Sequence, residues 1–226
     1  MPKIETNGVN LFYDEAGSGT ALLFLHEFAG DWRSWEPQMR FFSRRYRAIT
    51  YSVRGYHPSD VPEQAEAYSQ QQQVDDLGAL MDGLKIEQAH LCGLSMGSFT
   101  ALLFASAFPE RVLSLTIAGS AYGSGEDRDR WQKSITELGK VFLAEGLGKA
   151  AEDYAIGPAR VQFQNKDPRG WEEFKEQFLS HSPVGSAHTF LRIQAVRPVA
   201  VGHWSRSYDG PLGTPREPAG SEPAAD

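Results

Sequence analysis

The chain has 226 residues, 41% hydrophobic and 23% charged, with 22 Lys and Arg against 29 Asp and Glu for a net charge of −7. That length supports one sizeable core, and the acidic balance leaves no basic surplus to neutralise nucleic-acid phosphates, the one local basic cluster, Arg44-Arg45-Tyr46-Arg47, reading as a solvated helix end. A single cysteine excludes an internal disulfide and fits a reducing, cytoplasmic setting, and no apolar run approaches the roughly 18–20 residues that cross a bilayer.

Lys3–Thr6 and residues 9–13 flank Asn7-Gly8, the residue pair of a type I′ turn, and read as a β-hairpin. Gly17-Ser18-Gly19 then breaks the pattern. Ala21–Leu25 is a short continuous apolar run, expected as a strand buried on both faces. Asp31 is placed to cap a helix over 31–45, with Trp35, Met39 and Phe42 on one face. A second buried strand over 48–53 ends in Arg54-Gly55-Tyr56-His57-Pro58-Ser59-Asp60. Residues 68–84 carry Val74, Leu77, Leu80, Met81 and Leu84 at helical spacing. A strand over 89–92, an apolar helix over 99–108 stopped by Pro109, and a β-rich run Val112–Ala118 follow. Strands alternating with helices in this way predict an α/β fold with a mostly parallel sheet covered on both faces. Residues 120–197 become amphipathic and aromatic and read as a helical cap over the core of residues 1–119. Residues 198–226 hold five prolines and no sustained periodicity, a composition expected of a disordered tail.

Gly93-Leu94-Ser95-Met96-Gly97 joins the third buried strand to its helix. In that context Gly-x-Ser-x-Gly is the pattern of a nucleophile elbow, in which a sharp turn exposes the serine hydroxyl and small flanking residues let strand and helix approach. Serine needs a base, a group that orients the base, and donors for the oxyanion that develops on the attacked carbonyl. Ser95 is therefore the candidate nucleophile. Met96, at the start of the helix, would offer one oxyanion N–H. The turn after the first buried strand, His26-Glu27-Phe28-Ala29-Gly30, would offer the other, with Phe28 the chosen residue. Neither zinc-ligand spacing nor a phosphate or dinucleotide loop is present, so no metal and no cofactor is expected.

Leu23-Phe24-Leu25-His26-Glu27-Phe28, Arg54-Gly55-Tyr56-His57-Pro58-Ser59-Asp60, and Gly93-Leu94-Ser95-Met96-Gly97 with Ala107-Phe108-Pro109-Glu110-Arg111-Val112 together resemble the α/β-hydrolase fold. The flavour is that of small bacterial esterases, enol-lactone hydrolases and cofactor-free haloperoxidase-like members, over residues 5–197. The resemblance implies a serine hydrolase acting on a carboxylic ester, lactone or related small-molecule acyl substrate, with Ser95, Phe28 and Met96 in the roles above. Two departures stand out. Glu27 occupies a place where the family commonly has glycine. Members also continue after the cap with two further strand–helix units that carry the catalytic acid and histidine, whereas only 29 residues follow Arg197 here. The fold is thus expected to be C-terminally incomplete, with an open sheet edge through which copies would associate. A truncated or catalytically impaired member, with a binding role or no independent function, is the competing expectation.

For the base, His203 follows a short apolar run ending in Gly-His that is similar to the family's strand-then-histidine ending. His26, His57 and His90 read as structural or loop residues, and His181 and His188 as solvent-facing cap residues. Glu126, Asp127 and Asp129 follow the Val112–Ala118 strand, where some members place the acid. They read more simply as a solvated helix start.

Overall fold

The computed structural model describes residues 2–119, 127–158 and 160–197. The hairpin forms as expected: β1 (Lys3–Thr6) and β2 (Val9–Ala16) pair antiparallel through Asn7 and Gly8, both with positive φ as a type I′ turn requires. The second strand runs on to Ala16, so its outer half pairs with β4 (Arg47–Tyr51) instead. β3 (Ala21–Leu25) lies between β4 and β5 (Ala89–Leu94), parallel to both, and β6 (Val112–Ala118) adds parallel to β5. The six-stranded order is β1-β2-β4-β3-β5-β6. Every residue of β3 is buried, which explains why its sequence carries no alternation.

Helices cover the two faces unequally. On one face α1 (Glu36–Phe42) closes a small core of Leu22, Phe24, Trp35, Met39 and Ala48. The helix expected over 31–45 is shorter because it is split. Asp31 accepts from the Arg33 amide and Ser34 answers in a capping box, which makes a 3-10 turn over Trp32–Trp35, and Pro37 then starts α1. On the other face α2 (Gln70–Gly83), capped by Ser69, and α3 (Met96–Ala107) pack Val74, Leu77, Leu80, Met81, Ala101 and Phe104 against the sheet.

The cover thins toward β6. In β5 only alternate residues are buried, leaving His90, Cys92 and Leu94 half-buried, and that burial pushes the Cys92 thiol pKa up. On β6, Leu113 and Ile117 are 45% and 40% exposed, unusual for the edge of a parallel sheet. Among the described residues nothing pairs with the outer side of β6.

The segment after β6 is helical. α4 (Arg128–Glu145), α5 (Gly148–Ala155), α6 (Val161–Lys166), α7 (Pro168–Leu179) and α8 (Pro183–His188) lead into one π-helical turn over Thr189–Gln194. Phe142, Phe178 and Phe190 are its buried anchors. No described helix is long and apolar enough to cross a membrane.

One buried ion pair fixes the loop after β4. Arg54 donates twice to Asp76 of α2, through Nε at 2.6 Å and Nη2 at 2.7 Å, and once to the Ala67 carbonyl at 2.9 Å. Removing one partner of such a pair strands a charge away from water. Asp76→Ala is expected to lower unfolding stability by about 3–5 kcal/mol in a denaturant titration. A change below about 1 kcal/mol would show that water reaches Arg54.

Candidate active site

Ser95 sits at the β5–α3 junction with φ +50° and ψ −108°. A non-glycine residue there carries strain of about 1–3 kcal/mol, held only if the surroundings over-determine it. They do: the Ser95 amide donates to the Ala118 carbonyl at 2.7 Å, and its own carbonyl accepts from Ser98 Oγ at 2.7 Å and the Phe99 amide at 3.2 Å. The flanking glycines are sterically obligatory. A Cβ on Gly93 would collide with the backbone of Gly97 and Ser98, and one on Gly97 with the carbonyls of Leu25 and His26. The first turn of α3 therefore lies directly on the end of β3 and the start of the 26–30 loop. The Ser95 side chain is part-exposed, and its hydroxyl caps no helix amide.

The 26–30 loop is built around His26. Its buried imidazole bonds the Glu27 carbonyl through Nδ1 at 2.8 Å and accepts the Val53 amide through Nε2 at 3.1 Å, which fixes the neutral Nδ1–H tautomer. Burial pushes the His26 pKa down to about 4, and the hydrogen bond to Glu27 and the Asp31 charge only partly oppose it. The left-handed residue of the loop is Ala29, at φ +69°, so Glu27 stands at a position that needs no glycine. Phe28 and Met96 are both buried, and neither main-chain N–H has a hydrogen-bond partner among the described residues.

The helical segment reaches this loop at several points. The Phe28 ring stacks on Phe190, with centroids 3.7 Å apart, and meets Tyr154 and Phe178 edge-on. Arg160 Nη2 donates to the Phe28 carbonyl at 3.1 Å. His181 Nε2 lies 3.3 Å from Asp31 Oδ2. Burial works to raise the Asp31 pKa, but the hydrogen bonds from His181 and from the Arg33 side chain and amide outweigh it and hold the carboxyl well below the usual range. Burial raises the Glu27 pKa, opposed chiefly by the Arg160 charge, and its Oε2 has no partner among the described residues.

Two histidine expectations are corrected. His181 and His188 do not face solvent: both are buried, His181 against Tyr56 and Asp31, His188 against Tyr68 with its Nε2 at 3.0 Å from the Glu63 carbonyl. Their segment folds down onto the loop after β4, a contact that local periodicity does not register. His57 is exposed, and His90 pairs with Ser114 Oγ at 2.7 Å near the start of its strand. None of these five histidines hydrogen-bonds Ser95. His203 and Glu126 lie outside the described residues. Asp127 is exposed and paired with Arg130, and Asp129 is exposed, as a solvated helix start requires. Among the described residues, no three His, Cys, Asp or Glu side chains converge as a metal site. The sequence reading overlooked Arg160, Asp31 as a partner of His181, and Glu27 as a buried acid. Of these only Glu27 carried a signal, its place in a motif that favours glycine.

A family model described as the alpha/beta hydrolase fold matches residues 20–212. 3-Oxoadipate enol-lactonase 2 of Acinetobacter baylyi is 36% identical over 167 residues, 74% of this chain and 60% of its own length. Epoxide hydrolase 2 of Siraitia grosvenorii is 41% identical over 113 residues, 50% of this chain and 36% of its own length. In these matches the chain spans between about a third and three-fifths of the relatives. Among solved structures, a thermophilic esterase from Thermogutta terrifontis superposes with a TM-score of 0.73 at 24% identity, over 87% of this chain and 72% of that one. The enol-lactonase from Burkholderia xenovorans gives 0.70 at 23% identity, over 84% and 72%.

Two measurements probe the local geometry. Gly97→Ala should disrupt the elbow and lower the thermal midpoint by several degrees, because the added methyl has only backbone to displace; an unchanged midpoint would mean that α3 is free to move off β3. His26 binds a proton more weakly when folded than its ordinary 6.5, so its contribution to stability is complete above pH 6.5 and is lost as pH falls toward 4. The stability gap between wild type and His26→Gln should therefore narrow by about 2 kcal/mol between pH 7 and pH 4.5. A constant gap in denaturant titrations would contradict the buried neutral imidazole.

Proposed function

Because the chain belongs to the alpha/beta hydrolase fold family, we propose that it is a serine hydrolase in which Ser95 forms an acyl-enzyme with a carboxylic ester, lactone or related acyl substrate. The observation that carries this reading is the strained, part-exposed Ser95 at the head of a helix pinned to the 26–30 loop, with the Phe28 and Met96 amides unspent. The enol-lactonase among its relatives favours an acyl substrate. The aromatic-rich sequence of the helical segment, with Tyr154, Phe163 and Phe174, is the basis for proposing a small, mostly apolar acyl or alcohol group.

In this mechanism Ser95 Oγ attacks the carbonyl carbon as its proton passes to a base. The carbonyl oxygen becomes an oxyanion held by the Phe28 and Met96 N–H groups. Collapse expels the alcohol, which takes the proton from the base, and water repeats the sequence to release the acid. Removal of one such donor typically costs about 3 kcal/mol in barrier height. His203 is the proposed base: His26, His90, His181 and His188 are bonded to other groups, and no histidine among the described residues hydrogen-bonds Ser95.

A catalytically impaired binding protein is the second reading. It is favoured by the lack, among the described residues, of any histidine bonded to Ser95. Turnover of a p-nitrophenyl ester and fluorophosphonate labelling separate the two. The hydrolase reading expects labelling at Ser95, lost in Ser95→Ala, with turnover falling on the order of 10³-fold or more. His203→Ala should fall comparably. Labelling no greater than in Ser95→Ala would rule out the hydrolase reading and leave the impaired member, and opening of an epoxide without ester turnover would replace the substrate class.

A further inference from the structure

We propose that Arg160 is a positioning residue that couples the helical cap to the oxyanion loop by holding the Phe28–Ala29 peptide in its productive orientation. The inference rests on the acyl-transfer reading for its catalytic consequence, not for its structural content.

Arg160 reaches across 132 positions of sequence to the Phe28 carbonyl. Its guanidinium lies 4.2 Å from the Phe174 ring centroid and 5.6 Å from that of Tyr154, so aromatic faces of the cap set its plane. It makes no ion pair with a carboxylate within 4 Å among the described residues; the buried Glu27 feels its charge from further away. The cation is thus aimed at one loop carbonyl rather than spent on a surface acid.

That carbonyl belongs to a strained peptide. Ala29 holds φ +69°, a conformation that a Cβ-bearing residue disfavours. A flip of the Phe28–Ala29 plane would bring the Ala29 φ to a negative value and release the strain. It would also swing the Phe28 carbonyl dipole away from the cap, beside the amide proposed to receive the oxyanion. The Arg160 hydrogen bond opposes that flip, and because it is charge-assisted it is among the stronger single contacts available to the loop. The stack of Phe28 on Phe190 fixes the side chain of the same residue, but a ring contact does not determine which way its carbonyl points. Arg160 does. Seating of the cap and competence of the oxyanion hole are then one event.

The test pairs amide hydrogen exchange with kinetics on the full chain, comparing wild type, Arg160→Ala and Arg160→Lys. In Arg160→Ala the amide of Gly30, which closes the loop on the Glu27 carbonyl, should exchange about tenfold faster, while those of β4 are unchanged. With a p-nitrophenyl ester, kcat should fall about tenfold or more and KM by no more than about threefold, since the group acts on the transition state. Millimolar guanidinium should restore part of kcat, which relief of a folding defect would not do, and Arg160→Lys should lie between. Unchanged exchange in the loop would overturn the proposal. So would exchange that rises uniformly through the chain, or a loss expressed in KM. If wild type neither labels at Ser95 nor turns over ester, the hydrolase reading fails alone, and the exchange ratio still decides whether Arg160 holds the peptide.

Discussion

The contact on which the rest of the site depends is the backbone-to-backbone approach of α3 to the ends of β5 and β3. Gly93 and Gly97 permit it because any larger residue at either place would meet main-chain atoms that cannot move aside. With the helix pressed that close, the intervening residue is forced into a conformation that only a short, tightly bonded turn sustains, and Ser95 occupies it. The same approach brings the amide at the head of α3 beside the loop that follows β3. Strand order completes the arrangement, since β3 and β5 are neighbours with Leu25 opposite Gly93.

What the linear sequence disclosed follows the range of the forces involved. The Asn7-Gly8 turn, the Asp31 cap and the Gly-x-Ser-x-Gly elbow are decided within a few residues, and all three stand where local chemistry put them. Ala21–Leu25 and Val112–Ala118 have the predicted bounds because an apolar run between breakers leaves little choice. The helix over 31–45 was overestimated for an equally local reason: the Ser34 capping partner and Pro37 were in plain view, but their joint effect is to insert a 3-10 turn.

Less legible were features made by distant pairings. His181 is polar and lies in an amphipathic segment, so exposure is the natural inference. Its burial depends on Asp31, 150 residues earlier, and on the ring of Tyr56. Arg160 is one of many cationic residues in the chain, and nothing adjacent to it marks the Phe28 carbonyl as its partner. The half-open faces of β5 and β6 belong to the same class: Leu113 and Ile117 have the composition of buried strand residues, and their exposure depends on which elements cover them.

The loop after β3 concentrates the polar cost of the fold. A neutral buried imidazole, an ionised Asp31 and a buried Glu27 whose Oε2 lacks a partner among the described residues lie within a few residues, tied to the helical segment after β6 by Arg160 and His181. The hydrogen bonds of such a cluster hold the backbone they meet in one conformation. Here that backbone is the one proposed to face the reacting carbonyl. The most direct test is a crystal structure of the protein soaked with a boronic acid. A tetrahedral adduct on Ser95 Oγ, with one boronate oxygen about 2.7–3.1 Å from the Phe28 and Met96 nitrogens, is the predicted result. An adduct whose oxygens all point to solvent, or no adduct at saturating reagent, would contradict the account.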